Sequence, residues 1–517
     1  MQARGCRGAP GTSSLSKGFS ALRGSPRERT WAPPVNRLGI GSTASGHPGS
    51  GERGPGEADA PAGRRGPSMT AMDTAPPGSP PAPPAAPFTP RRSHVWAWSL
   101  WDAGSAAFNA VMTTFVFTVY LTGDPFGGED HASQVLGYGI GAAGVVVALL
   151  APVVGQRSDG AGRRKLWLGV NTMLTALLTA LCFLVYPEYP FLYLGVALLA
   201  LANVFDEFAV VNYNAMLPGI AGREHIGRVS GQGWALGYFG GIVALSIVLF
   251  GFVSPGLLGI PEEDALNVRA VALFSGLWIA LFSIPVLLAV PEIRPTRRGP
   301  RPSVARSYRQ LWATLRGLYR DAPQTLWFLL SSAVFRDGLN AVFTFGGVIA
   351  AGTFGFTLTE VIVFAIVGNV AAGVGALVGG QLDDRVGPKR VIVASLVCVL
   401  LAGTPLLFLD GTAAFWVCGL LLCLFVGPAQ SASRTFLGRL TRTGHEGALY
   451  GLYATTGRAV SFLAPTLFAV FVSVLGAQRW GILGILLVIG AGLLLLLGAR
   501  DPERDRDPDG AGTTQRP

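Results

Sequence analysis

Long apolar stretches alternate with short polar loops from residue 96 to residue 497. Twelve of these stretches are about 20 residues long or a little longer, the length of helix that crosses the roughly 30 Å hydrocarbon core of a bilayer. The pattern predicts twelve transmembrane helices, at residues 96–121, 133–154, 166–186, 190–213, 228–253, 268–290, 324–351, 360–382, 391–409, 412–433, 447–474 and 479–497.

Basic residues concentrate in alternate loops between these segments. The loops that follow the even-numbered segments hold nineteen Lys and Arg residues, whereas the opposite loops hold only Arg269 and Arg479. Cytoplasmic loops of membrane proteins are enriched in Lys and Arg. The asymmetry therefore predicts a multi-pass protein with both termini in the cytoplasm, and a bacterial plasma membrane is the expected location.

Composition narrows the function classes. Half of the 517 residues are apolar and only 14% are charged, against about 25% in soluble domains. The net charge of +10 lies mostly in short loops between apolar segments, so no nucleic-acid partner is expected. The chain has no Walker P-loop, HExxH, GxSxG or CxxC motif, so we expect no enzyme activity, no cofactor and no metal site.

The predicted segments group into five regions. Residues 1–92 are rich in Gly, Pro and Arg and predict a disordered tail; either it is a cytoplasmic extension, or translation starts at Met69 or Met72. Residues 93–290 and 324–498 predict two six-helix bundles, joined by a basic cytoplasmic linker at 291–323. Residues 499–517 predict a charged, disordered tail.

One loop motif occurs twice. The sequence GQRSDGAGRRK follows segment 2, and GQLDDRVGPKR follows segment 8, 225 positions later. A second echo pairs Asn109-Ala110-Val111 with Asn340-Ala341-Val342 in segments 1 and 7. Five motif residues recur at the fixed offset: Gly155, Asp159, Gly162, Arg164 and Lys165 as Gly380, Asp384, Gly387, Lys389 and Arg390, with Arg163 present in the first copy only.

The repeated motif suggests a gate. Glycines permit a tight turn and close helix approach, and the Asp can pair with a neighbouring Arg or cap the start of a helix. Such a cluster would hold the cytoplasmic side closed and release it when the two halves rock. The alternative is a basic loop that only sets membrane orientation.

The motif G-x3-D-x2-G-R-R-K in a twelve-segment chain resembles the signature of the major facilitator superfamily. The stretches WSLWDAGSAAFNAVMTT around Asp102, NYNAMLPGIAGREHIGRVSGQGWALGYFGG from Asn212, and SASRTFLGRL around Arg434 resemble the vacuole-effluxer branch and its bacterial relatives. The resemblance implies two pseudo-symmetric helix bundles with a substrate site between them, and, from the fungal members, export of amino acids. Tyr238 stands where drug antiporters of the superfamily have a proline, which argues against a drug/proton antiporter.

Ionisable residues inside the predicted helices are candidate site residues, because charges in a membrane are expensive and commonly functional. Carboxylates would bind a substrate amine or carry a coupling proton, and arginines would bind a carboxylate in a bidentate manner. The alternative is that the charges pair with one another and fix the helix packing. The candidates are Asp102, Asn109, Asp206, Glu207, Asp337, Asn340, Arg434 and Arg458.

The sequence thus predicts a secondary transporter, expected to be a monomer, that moves a small polar or zwitterionic solute by alternating access with a proton or sodium ion as the coupling ion. A drug or lipid-like substrate, a non-transporting receptor or scaffold, and a membrane enzyme remain alternatives.

Overall fold

The structure is a computed structural model, and it describes residues 91–222, 224–253, 257–292, 304–441 and 444–499. Nearly all of both predicted tails therefore lies outside the described residues. Within those residues the secondary structure consists of helices and contains no strand. The α-helices are α1 Arg92–Ala107, α2 Phe117–Leu121, α3 Glu129–Ala161, α4 Arg164–Leu181, α5 Phe191–Ala221, α6 Ile226–Ile247, α7 Leu266–Ala289, α8 Val304–Asp321, α9 Pro323–Phe354, α10 Leu358–Val386, α11 Pro388–Gly403, α12 Thr412–Leu440, α13 Glu446–Val460, α14 Leu463–Leu475 and α15 Gly481–Gly498.

Eleven helical spans within the described residues are long and apolar enough to cross a membrane. The predicted seventh segment corresponds to α9, which has 32 residues and is about 48 Å long at 1.5 Å per residue. It is not among the eleven spans, and it carries Arg336 and Asp337 near its middle. The predicted all-helical membrane fold is confirmed, and the spans are consistent with the predicted count of twelve.

The first and the eleventh predicted segments each contain a local break. A π-helix at Phe108–Phe115 separates α1 from α2, where the hydroxyls of Thr113 and Thr114 both donate to the carbonyl oxygen of Asn109, at 2.8 and 2.7 Å. The predicted eleventh segment divides into α13 and α14 just before Pro465, whose ring has no N–H and crowds the preceding turn.

The predicted linker is the clearest departure from the sequence analysis. Its described residues form the helix α8, where the sequence suggested only a basic connection. Leu311 and Leu318 are seven residues apart and therefore lie on one face of a helix, and both pack against the bundle.

The spans pack in two groups, called here the first half (α1–α7) and the second half (α9–α15). In the first half α1 packs against α6 and α7, and α4 packs against α5 and α7; in the second half α12 packs against α10 and α11, and α9 packs against α15. The main contacts between the halves join α6 to α10 and α3 to α13. Exposed leucines cover the outer surface, as expected for helices that face lipid.

Candidate functional site

At one end of the bundle, Asp159 at the end of α3 reaches across to the second half. Its carboxylate accepts hydrogen bonds from the backbone N–H groups of Gly447 and Ala448, both at 2.9 Å. These groups lie in the first turn of α13, so Asp159 caps a helix of the opposite half. Arg164 reinforces the contact, because its Nη2 lies 2.6 Å from Asp159 and 2.5 Å from Glu446.

The second copy of the motif makes the reciprocal contact. Asp384 at the end of α10 accepts hydrogen bonds from the backbone N–H groups of Gly227 at 2.7 Å and Arg228 at 3.0 Å, in the first turn of α6. Arg439 lies 2.9 Å from Asp383 and 3.6 Å from Asp384. Each half thus caps a helix of the other, and at the first copy the Arg164–Glu446 ion pair also joins the halves.

Glycines allow these close approaches. A methyl group at Gly447 would lie 2.5 Å from the carbonyl oxygen of Gly155, and one at Gly227 would lie 2.6 Å from that of Gly380. Both distances are shorter than any carbon–oxygen contact that a folded chain tolerates without moving. The glycines at the start of each motif therefore set the distance between the helices that meet here.

A sequence signal for the capped ends exists, although the sequence analysis missed it. Both α6 and α13 are preceded by a His, and the residue after next is the glycine whose N–H is capped: His225-x-Gly227 and His445-x-Gly447. The two copies are 220 residues apart, close to the offset of the loop motif. A search for a second repeat facing the first would have identified them.

The remaining motif residues lie outside the capped contacts. Gly162 and Gly387 have φ values of +58° and +88° and end their helices, which explains why both copies keep glycine. Lys389 donates to the carbonyl oxygens of Leu497 and Ala499 within its own half. Its counterpart Arg164 faces the other half, so the two basic positions have different surroundings. The other basic side chains of the motif are exposed or partly exposed: Arg163, Lys165 and Arg390.

A second polar layer joins Asp102 of α1 to Arg434 of α12. Arg434 is buried, and its Nη1 lies 3.3 Å from both Asp102 Oδ2 and Asn214 Oδ1. Its Nε donates to Ser230 Oγ at 2.9 Å, and the hydroxyl of Tyr213 donates to Asp102 at 2.8 Å. In the present conformation, protein groups thus bind this guanidinium. This arrangement corresponds to the alternative in which the charges pair with one another and fix the helix packing.

A third layer joins Glu207 of α5 to Arg458 of α13. The two side chains form an ion pair, and Arg458 Nη2 lies 3.4 Å from Asn203 Oδ1. Asp206 faces elsewhere, as expected for adjacent residues about 100° apart on a helix. It is buried and accepts a hydrogen bond from Ser105 Oγ at 3.1 Å, and no salt bridge to Asp206 occurs in the described part of the chain.

These layers follow one another in depth. Asp102 lies ten residues from the start of α1, and Glu207 lies fourteen residues from the end of α5, which correspond to about 15 and 21 Å at 1.5 Å per residue. Asp159 lies at the end of its helix. The halves are therefore joined from one end of the bundle to about the middle of the membrane.

Beside the third layer lies Arg336 of α9, which the sequence analysis did not include among the candidates. Its guanidinium carbon lies 3.8 Å from the ring centroid of Tyr453, and its Nη1 and Nη2 approach Gly457. Nη1 is buried, and it forms no hydrogen bond within the residues that the structure describes. An arginine inside an apolar segment is itself a signal of function.

The echoed asparagines lie deeper still. Asn109 and Asn340 are both exposed, and Asn340 Oδ1 accepts a hydrogen bond from Gln430 Nε2 at 3.0 Å. Asp337, in contrast, is buried within the second half and accepts the backbone N–H of Ala464 at 2.7 Å, where α14 begins.

Comparison with known proteins gives relatives that are membrane transporters. The chain is 24% identical over 407 residues to the MFS-type transporter YxiO of Bacillus subtilis, covering 77% of this chain and 93% of YxiO. It is 23% identical over 284 residues to Autophagy-related protein 22 of Cryptococcus neoformans, covering 51% of this chain. The chain spans about half the length of that fungal relative.

Solved structures of the major facilitator superfamily (MFS) share the fold. The proton:xylose symporter XylE superimposes with a TM-score of 0.61 at 14% identity, covering 78% of this chain and 94% of XylE. FucP in the outward conformation gives 0.61 at 14% identity, covering 79% of this chain and all of FucP. Identities this low support the fold alone.

The family described as "Vacuole effluxer Atg22 like" matches residues 223–506, more than half of the chain. This match confirms the resemblance found in the sequence, and the relatives and structural neighbours are transporters, not enzymes. The chain therefore belongs to the vacuole effluxer Atg22-like family of major facilitator superfamily transporters.

Proposed function

We propose that this MFS transporter exchanges or exports a small zwitterionic solute, such as an amino acid, by alternating access. The observation that carries the proposal is the buried Arg336 Nη1 without a hydrogen-bond partner among the described residues. The guanidinium approaches Gly457, which directly precedes Arg458 of the ion pair with Glu207. A substrate carboxylate would bind the free guanidinium edge of Arg336. A substrate amine would compete with Arg458 for Glu207.

The polar layers account for the alternating step. The capped contacts, the Asp102–Arg434 pair and the Glu207–Arg458 pair all join the halves on one side of the proposed site. With both termini in the cytoplasm, as loop charge predicts, that side is cytoplasmic and the present conformation faces outward. A substrate that separates Glu207 from Arg458 would remove the innermost contact and favour opening towards the cytoplasm.

We propose Asp206 as the group that carries a coupling proton. It is buried, it neighbours Glu207, and among the described residues it has no ion-pair partner like the one that Asp102 has in Arg434. A buried carboxylate without a cation is stabilised by protonation. Replacement by asparagine keeps the hydrogen bond from Ser105 and removes the titration. Asp206→Asn should therefore abolish pH-driven accumulation while preserving solute exchange. Asp102→Asn tests the other hypothesis, that Asp102 carries the coupling proton.

Counterflow in liposomes tests the substrate assignment. The full chain is reconstituted, the vesicles are loaded with an unlabelled amino-acid mixture, and uptake of labelled amino acids is followed against protein-free vesicles. We expect transient accumulation that Arg336→Gln removes and that Arg479→Gln, a change at an exposed ion pair, preserves. No accumulation by folded protein would exclude amino acids and direct the search to drug, sugar and lipid panels.

A further inference from the structure

Helix α8 is attached to the bundle along one narrow side. Leu311 and Leu318 are partly buried and pack against the core, and Ser307 is fully buried. The hydroxyl of Tyr308 donates to the carbonyl oxygen of Leu149 in α3 at 2.9 Å. Leu149 is 57% exposed among other exposed apolar side chains of α3. The start of α8 therefore lies against the lipid-facing surface of the bundle.

A second side of α8 is aromatic and uncovered. Trp312 is 62% exposed and Tyr319 is 72% exposed. Successive helical residues are about 100° apart, so both lie within about 40° of Tyr308 around the helix. Trp and Tyr concentrate where a membrane protein meets the boundary between lipid tails and headgroups. An exposed aromatic stripe that starts beside the lipid-facing Leu149 fits that boundary.

A third side of α8, next to the aromatic stripe, is basic. Arg309, Arg316 and Arg320 are exposed and lie about 80–120° from Tyr308 around the helix. None of the three forms a salt bridge within the described part of the chain. The order around the helix is thus protein-facing leucine, exposed aromatic ring, and then exposed arginine, which is the order of a helix lying in a membrane surface.

We infer that α8 is an interfacial helix whose aromatic stripe enters the lipid boundary and whose three arginines bind the phosphodiester groups of anionic lipids. A membrane is favoured over a soluble anion because the exposed rings beside the arginines require an apolar layer. Anionic lipid would thereby fix the segment that connects the two halves. The inference does not depend on which solute is transported, and its test measures the position of α8 and not solute flux.

The test uses the full chain with its native cysteines replaced and an environment-sensitive fluorophore on Leu315→Cys, within the aromatic stripe. The protein is reconstituted in phosphatidylcholine vesicles with increasing phosphatidylglycerol, and quenching by lipids with a nitroxide near the headgroup is recorded. We expect quenching to rise with phosphatidylglycerol. Replacing Arg309 alone by Gln should raise the fraction needed for half-maximal quenching by about fivefold. Replacing Arg309, Arg316 and Arg320 together should keep quenching at its phosphatidylcholine level throughout the titration.

Three controls keep the outcomes distinct. Gln at Arg91, Arg92 and Arg385 removes the same charge from other exposed positions and should leave quenching unchanged. If the arginine variant does not fold, Trp312→Ala with Tyr319→Ala should lower quenching at constant charge. Quenching that does not change with the phosphatidylglycerol fraction would overturn the inference. An equal rise in quenching on addition of inorganic phosphate to neutral vesicles would also overturn it, because that result would indicate a site for a soluble anion.

Discussion

Asp159→Asn should open the face of the bundle that the two capped helix ends close. The carboxylate accepts two backbone N–H groups of α13 and pairs with Arg164. Asparagine keeps one acceptor but loses the negative charge at the helix N-terminus. Loss of capping costs about 0.5–2 kcal/mol, and loss of the charge at a helix end costs about 0.3–1 kcal/mol.

The expected population change follows from these energies. A loss of about 1–2 kcal/mol for the closed arrangement raises the ratio of open to closed by about 5–30-fold. Arg164 retains its ion pair with Glu446, so the contact is weakened and not abolished. Asp159→Asn combined with Asp384→Asn should shift the equilibrium further, because the two caps lie at separate helix ends.

Pulsed electron paramagnetic resonance (EPR) between spin labels at Gly160→Cys in α3 and Arg385→Cys in α10 measures the opening directly. Both positions are exposed, and a side chain at Gly160 meets nothing within 4 Å. Asp410→Asn is the matched control, because Asp410 pairs with Arg479 at the other end of the bundle. The reasoning is refuted if the double variant gives the same distance distribution as the parent protein.

Three further variants test other parts of the structure. Gly447→Ala should open the same face as Asp159→Asn, because the added methyl group would lie 2.5 Å from a carbonyl oxygen. Gly144→Ala should not open it, because a methyl group there meets nothing within 4 Å. The same pair of spin labels measures both effects. Arg434→Gln should destabilise the protein by up to about 3–5 kcal/mol, because it removes a buried guanidinium and leaves the partly buried Asp102 without its cation. Thermal unfolding should show part of the loss recovered when Asp102→Asn is added. Asp337→Ala should cost about 1–3 kcal/mol by removing the acceptor for the N–H at the start of α14, while counterflow per folded molecule stays unchanged.

Sequence periodicity predicted the membrane fold well because length and hydropathy alone determine whether a helix can span lipid. The internal repeat at Asp159 and Asp384 also identified two residues that meet the opposite half. The repeat did not predict the surroundings of the matching basic residues. Lys389 contacts its own half, whereas Arg164 contacts the other half. The offset in the sequence contains no information about which neighbour a long side chain reaches.

Partnering of charges was not predictable from the sequence. In the sequence, Arg434 and Arg336 are both single arginines inside apolar segments. In the structure, protein groups bind the guanidinium of Arg434, whereas Nη1 of Arg336 is buried and has no hydrogen-bond partner in the described chain. Asp337 is a candidate site residue in the sequence, and in the structure its carboxylate accepts the backbone N–H of Ala464, next to Pro465. Such roles depend on residues more than a hundred positions away and on which face of each helix is covered.

Alternating access is the central claim, and paired distances at both faces test it most directly. One label pair is Gly160→Cys with Arg385→Cys, and the second is Glu188→Cys with Thr412→Cys, at exposed positions of the opposite face. On addition of a transported amino acid, we predict that the first distance lengthens and the second shortens in the same fraction of molecules. Distances that lengthen together, or that stay fixed while counterflow proceeds, would contradict the account.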